Sequence, residues 1–267
     1  MYSMLQSRRA RGLAGEPLPS VFTALEQSQV RFVRGQLGLL AGGPGCGKTA
    51  LALTLALRMG VPALYFSADS DAFVQLARTV AIVAGWSMEQ ATDHVRRDDL
   101  DSVYTELAGV PIRMVYLASP GLDDIELSLQ AYEEVYGEYP HLTVLDNITN
   151  VRESTGPDGS PNSGLEPLMD WLHEAARGTQ AHVLGLHHVT GPFNDADKPI
   201  PLSGLKGQVG RVPALVATIH RRRQEYGPDR LLVSSVKNRT GSADASGQSF
   251  AELEFDAARM AIRDLSY

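Results

Sequence analysis

The 267-residue chain holds one cysteine, Cys46, so no disulfide can form within it and a zinc site built from several thiolates is excluded. Long apolar runs are missing as well. No window reaches the roughly 18 uncharged apolar residues of a membrane span, and the opening MYSMLQSRRARGLAGEPLP has basic residues without the apolar core of a signal peptide. A cytoplasmic protein without membrane association is expected. Basic charge is scarce: 24 Lys+Arg against 31 Asp+Glu leave a net charge of -7, which argues against nucleic acid unless the cations are gathered on one inner surface. Repeats and low-complexity tracts are absent. With 43% hydrophobic and 21% charged residues the composition is that of a folded globular chain, which excludes long disorder, collagen-like repeats and coiled-coil rods.

What is present is a regular alternation. Short apolar runs, LGLLA (37–41), PALYFS (62–67), PIRMVYL (111–117), LTVLD (142–146) and AHVLGL (181–186), read as strands. Segments of helical spacing, 48–59, 72–85, 122–136 and 164–177, lie between them. The helix from Lys48 to Met59 is expected to stop at Gly60. This is the pattern of βαβ units around a mostly parallel sheet. Toward the end ALVATIH (214–220), RLLVSSV (230–236) and SFAELEF (249–255) follow one another across a Gly-Pro-Asp turn, so antiparallel strands are expected to finish the sheet. Residues 1–30 lack apolar periodicity and are read as an arm or linker, leaving residues 31–267 as one domain. Two long segments rich in Gly, Pro, Ser and Asn follow Asp146 and Leu186, a length usually reserved for functional loops.

Between the first strand and the first long helix stands Gly42-Gly43-Pro44-Gly45-Cys46-Gly47-Lys48-Thr49, which satisfies G-x-x-x-x-G-K-[ST] in the context that pattern requires. Glycines let the backbone curl so that successive N–H groups and the helix start, through Ala50, face a nucleoside triphosphate. Lys48 supplies a cation for the β- and γ-phosphates and Thr49 a hydroxyl for Mg²⁺. Cys46 is read as loop filler. A second carboxylate must hold the metal's water shell, and Asp146, closing an apolar strand, is the candidate. ATP and Mg²⁺ are the implied cofactors.

Taken together these motifs resemble the RecA-like ATPases, and among them the DnaB-type replicative helicases and RepA-type hexameric helicases, over most of residues 33–256. The resemblance implies an α/β, RecA-like P-loop fold. It places a water-activating carboxylate after the second strand, where Phe66-Ser67-Ala68-Asp69 carries Asp69 in place of the family's Glu; Asp71 is the nearby alternative. A sensor of the γ-phosphate is implied at His187-His188. Because neighbours on a strand point to opposite faces, His188 is assigned that role and His187 to packing. Lys237-Asn238-Arg239 resembles the family's Lys-x-Arg element, with Lys237 and Arg239 reaching a neighbouring subunit's nucleotide. The two long segments match loops that line the channel of the ring, so Arg152, Lys206 and Arg211 are the candidate contacts to single-stranded DNA, with Phe193 the lone aromatic there. Arg221-Arg222-Arg223 reads equally as a solvated turn or a phosphate contact.

The implied activity is that of a DNA helicase or translocase working as a homo-oligomer, a hexameric ring in the family it resembles. A primase or loader protein is the implied partner. A RecA- or RadA-like recombinase or mediator, and a KaiC-like regulatory ATPase, are the alternatives. Lacking a collar domain before its ATPase motifs, the sequence most resembles the isolated motors encoded by plasmids or phages.

Overall fold

In the computed structural model, which describes residues 1–152, 164–205 and 208–265, two short helices come first, α1 (Met4–Ala10) and α2 (Thr23–Gln27). The expected alternation follows as β1 (Leu37–Gly42), α3 (Lys48–Met59), β2 (Ala63–Ser67) and α4 (Ala72–Ala84). Next are α5 (Met88–Arg97), α6 (Tyr104–Ala108), β3 (Ile112–Val115), α7 (Leu122–Tyr136), β4 (Leu142–Asp146), α8 (Leu165–Thr179) and β5 (His182–His188). The last described elements are the strands β6 (Leu215–Arg222), β7 (Asp229–Asn238), β8 (Ala251–Asp256) and β9 (Ala261–Asp264).

They form one sheet in the order β3-β2-β4-β5-β1-β6-β7-β8-β9. Pairing is parallel from β3 to β6 and antiparallel from β6 to β9, as the sequence pattern indicates. β1 and β2 are buried along their whole length, because helices cover both faces of a parallel sheet. Strand parity sorts the core. Leu37, Leu39, Ala41, Val183 and Val216 pack with α7 and α8, whereas Leu40, Tyr65, Val144, Leu184, Leu186 and Ile219 pack with α3. α3 is apolar nearly all round, with nine of its residues buried, and such a helix belongs inside a layer rather than over one.

The sequence pattern misplaces three things. α5 falls outside the expected helices, although Ser87 and Gln90 form a reciprocal capping box and S-x-x-Q is a legible start signal. β9 has only four residues, too few for alternation to register. The third is the arm: Leu18, Phe22, Leu25 and Val30 belong to the core on the α3 side, so the packed unit reaches back past residue 31 to Pro17, which bridges to Val33. Only α1 and its flanks lie outside, and α1 buries no residue. α2 is five residues long, and its first N–H groups are held by β9: Thr23 and Ala24 donate to Asp264 Oδ2 and Oδ1, each at 2.9 Å. A carboxylate at a helix start satisfies orphan donors and suits the helix dipole.

Phe22, 1% exposed, therefore carries stability. Phe22→Ala is expected to cost about 3–5 kcal/mol, read as a lower urea midpoint; an unchanged midpoint would restore residues 17–30 to the status of an arm.

Candidate functional site

β1 ends at Gly42 in the middle of the sheet, flanked by β5 and β6, and the chain curls through residues 43–47 into α3. Gly47 takes φ +111°, and a Cβ there would stand 3.1 Å from the Phe255 ring, so backbone and neighbour both demand glycine. Cys46 is buried and its thiol is pushed up by that burial against the pull of Lys48, which keeps it an unreactive filler at neutral pH. Lys48 is buried too. Its Nζ donates to the carbonyls of Gly42 and Gly43, both at 2.9 Å, and meets His188 Nδ1 at 3.0 Å. Burial lowers the lysine's pKa, while Cys46, Asp146 and Asp69 oppose the shift. Burial, then the charge of Lys48, also lowers that of His188, so the ring is neutral and its Nδ1 can accept from the ammonium.

Asp146 ends β4 on the same α3 face. Its Oδ2 accepts from the Tyr65 hydroxyl at 2.8 Å. Burial raises its carboxyl, and hydrogen bonds from Thr49 and Tyr65 hold it down. Tyr65 is completely buried and held well above its ordinary pKa, first by burial, so it remains a donor. Asp69 follows β2, where Oδ2 accepts from Asn147 Nδ2 at 3.0 Å and Oδ1 from Asn150 Nδ2 at 2.8 Å; His188 Nε2 lies 3.6 Å from Oδ2. Asp71 is turned to another task, capping α4 through a 2.9 Å bond from the Val74 N–H. Of the two carboxylates proposed from sequence, only Asp69 joins the cluster. His187 points to the α7 and α8 side, as parity requires, with burial holding its pKa at about 4.

Lys48, Asp69, Asp146 and His188 thus converge at the carboxyl ends of four neighbouring parallel strands, where open α/β sheets bind ligands. Thr49 and Asp146, a hydroxyl hydrogen-bonded to a buried carboxylate, are the oxygen donors here that suit a divalent cation. Among the described residues no cluster of three His, Cys, Asp or Glu side chains could hold a metal unaided, so phosphate oxygens would have to complete its shell.

Lys237 and Arg239 are elsewhere. Gly42 pairs with Ile219 and Ile219 with Val233, so Lys237 and Arg239 lie about 13–20 Å farther along β7, at ~3.3 Å per residue, toward the opposite end of the sheet. Neither reaches its own chain's phosphate loop. Lys237 Nζ donates to Gly210 O at 2.8 Å and Arg211 O at 2.5 Å, and Arg239 is exposed.

Of the candidate DNA contacts, Lys206 lies outside the described residues. Arg152 is paired with Asp124 at 3.2 Å, and Arg211 with Glu166 at 2.8 Å and Asp170 at 3.6 Å. Both cations belong to the α7 and α8 side of the sheet, yet both are engaged by carboxylates. The segment after β5 is not an open loop over its described length: Val189, Ile200, Leu205, Val209 and Val212 are core residues, and Phe193 packs against them. Arg221 is bound to Asp229 at 2.6 Å and lies 4.9 Å from the Phe255 ring, so that residue of the arginine run is structural.

Sequence reading missed Tyr65, Asn147 and Asn150. Asn147 sits beside Asp146 in LTVLDN, which was signal enough to weigh it; Tyr65 needed the knowledge that β2 neighbours β4, with Ser67 opposite Asp146.

A family model described as AAA domain matches residues 29–191. The chain is 55% identical over 268 residues to the Gene 65 protein of Mycobacterium phage L5, covering 100% of both chains. It is 54% identical to the Gene 65 protein of Mycobacterium phage D29, covering 86% of this chain and 99% of that one. Among solved structures, a DnaB-like replicative helicase studied with its primase interactions superposes with a TM-score of 0.79 at 19% identity, over 93% of this chain. The chain spans 62% of that helicase's length. A second solved structure, an ATPase domain on its own, gives 0.79 at 17% identity over 98% of this chain and 96% of that domain. The RadB recombinase gives 0.57 at 16% identity, over 93% of this chain and 100% of its own. At such identities these structures establish the RecA-like fold.

Two outcomes follow from the buried polar groups. Tyr65→Phe removes the donor to a buried carboxylate and is expected to cost about 1–3 kcal/mol in urea unfolding at pH 7.5; no loss would mean Asp146 does not depend on that bond. Burial lowers the pKa of His182, His187 and His220 to about 4, whereas the unfolded rings titrate near ~6.5. Between those values the unfolded chain binds more protons, so stability is present above ~6.5 and declines as pH falls toward 4. Histidine-ring NMR of the folded chain should show midpoints near 4 for these three; midpoints near the unfolded value would contradict it.

Proposed function

Because the chain belongs to the AAA-domain family, whose model covers residues 29–191, we propose that it is an ATP-hydrolysing, Mg²⁺-dependent motor that forms a ring, most simply a hexamer, and moves along or unwinds DNA. The observation that carries the reading is the convergence of Lys48, Asp69, Asp146 and His188 on one end of adjacent strands, on the face that starts α3. On nucleotide binding the phosphate oxygens take the place of the Gly42 and Gly43 carbonyls around Lys48, and the N–H groups of residues 43–50 line the phosphates. Thr49 and Asp146 would hold Mg²⁺, which when bound would supply neutralisation of charge on the phosphates. Asp69 accepts the proton of the attacking water. His188, between Lys48 and Asp69, registers whether a γ-phosphate is present.

Lys237 and Arg239 complete a neighbour's site. Their position far from their own phosphate loop supports this, since an arginine finger supplied in trans accelerates phosphoryl transfer by ~10³–10⁵. Arg152 and Arg211 would face DNA by exchanging their carboxylate partners for phosphates, and Lys206 would be a third contact. The likeness to the DnaB-like helicase and the phage relatives support a replication motor of phage origin that meets a primase or loader through another surface. No helix among the described residues is long and apolar enough to cross a membrane.

ATP hydrolysis measured with and without single-stranded DNA, beside the particle mass in ATP and Mg²⁺, tests the reading. Lys48→Ala should abolish hydrolysis. Arg239→Ala should fall at least ~10³-fold and recover in part when mixed with Lys48→Ala protein, whose Arg239 completes the intact phosphate loops. A fully active Arg239→Ala monomer would refute the ring. Filaments on DNA would move the assignment to a recombinase, and ATPase activity indifferent to DNA to a KaiC-like regulator.

A further inference from the structure

Asp69 sits on the turn between β2 and α4 with 44% of its side chain exposed. An aspartate so placed samples several rotamers, and a base that must meet one water molecule cannot tolerate that spread. In this chain both amide donors to the carboxylate come from one segment, while His188 Nε2 of β5 lies 3.6 Å from Oδ2. Asn147 Nδ2 reaches Oδ2 at 3.0 Å and Asn150 Nδ2 reaches Oδ1 at 2.8 Å, both from the 3-10 turn Ile148–Asn150 and the residue that caps it.

The turn is itself fixed. Asn147 is 3% exposed and its Oδ1 accepts the Thr149 N–H at 2.8 Å, which settles that its amide nitrogen, and not its oxygen, faces Asp69. Ile148 is fully buried in the α7 and α8 side of the core. It occupies the space over Gly185, where a Cβ would come within 2.8 Å of Ile148 Cγ2. A backbone bond from the Ala68 N–H to Asp146 O at 2.8 Å ties the Asp69 turn to the end of β4. Each carboxylate oxygen has two lone-pair directions, so the two amide donors orient the group; His188 Nε2 also faces Oδ2 at 3.6 Å, while Oδ1 keeps one direction that no amide takes.

We infer that Asn147 and Asn150 are positioning residues that hold the Asp69 carboxylate in line for the attacking water. The inference rests on the reading of Asp69 as the base. A purely structural role would be visible as lost stability or weakened nucleotide binding; a positioning role appears in turnover.

The test uses the assembled full-length chain, with steady-state ATP hydrolysis and, separately, equilibrium binding of a fluorescent ATP analogue in Mg²⁺. Asn150→Ala should lower kcat by about 10- to 100-fold, with KM and analogue affinity within about twofold of the parent. In an Asp69→Asn background the same change should cost nothing further, since groups that act as a unit are not additive. Asn147→Ala should behave alike; if its urea midpoint shows that it does not fold, the half-buried Asn150 decides the matter. Parent kcat in Asn150→Ala, a matching rise in KM, or a further loss beyond Asp69→Asn would overturn the inference. So would full activity in Asp69→Asn, which leaves the ATPase reading standing. Hydrolysis that survives Lys48→Ala would instead overturn the ATPase reading itself.

Discussion

The site is organised around a buried ammonium group. Lys48 Nζ has been taken out of water at the start of α3, and its three donors must each find an acceptor. Two come from the carbonyls of Gly42 and Gly43, which are available only because the chain curls tightly after β1. The third is the Nδ1 of His188. That contact requires β5 beside β1 and an even-numbered residue on the α3 face. Asp69 and Asp146 supply the negative potential that limits how far burial can depress the lysine. The strand order, the loop and the polar cluster are therefore consequences of housing one charge, in a form that phosphate oxygens can take over.

Much of this was legible in the sequence because it is local. The run from Gly42 to Thr49 encodes its own turn and helix start. The helix boundaries at Lys48, Met59, Leu122 and Tyr136 follow from periodicity and terminal glycines. Parity alone separated His188 from His187. Illegible was whatever depends on which strands are neighbours. Tyr65 meets Asp146 because β2 pairs with β4, and the amides of Asn147 and Asn150 meet Asp69 across the same pair. Packing of residues 17–30 was hidden because α2 is one turn long, and its reason to exist, the Asp264 carboxylate, is 240 residues away.

The sheet also separates two kinds of cation. Lys48 stands at its carboxyl end, while Lys237 and Arg239 are displaced along β7 toward the other end, with Lys237 holding the carbonyls of residues 210 and 211. Lys237 and the segment that carries Arg211 are thereby parts of one hydrogen-bonded unit. A displacement of the end of β7 would therefore carry the segment before β6 with it through main-chain carbonyls, without a separate relay.

The bonds from Thr23 and Ala24 to Asp264 have a bearing on biosynthesis. A ribosome releases the residues of α2 long before it makes β9, so the first packed helix has no cap until Asp264 emerges. The seam between α2 and β9 is the last to close, and a chain cut short before Asp264 leaves the start of α2 uncapped.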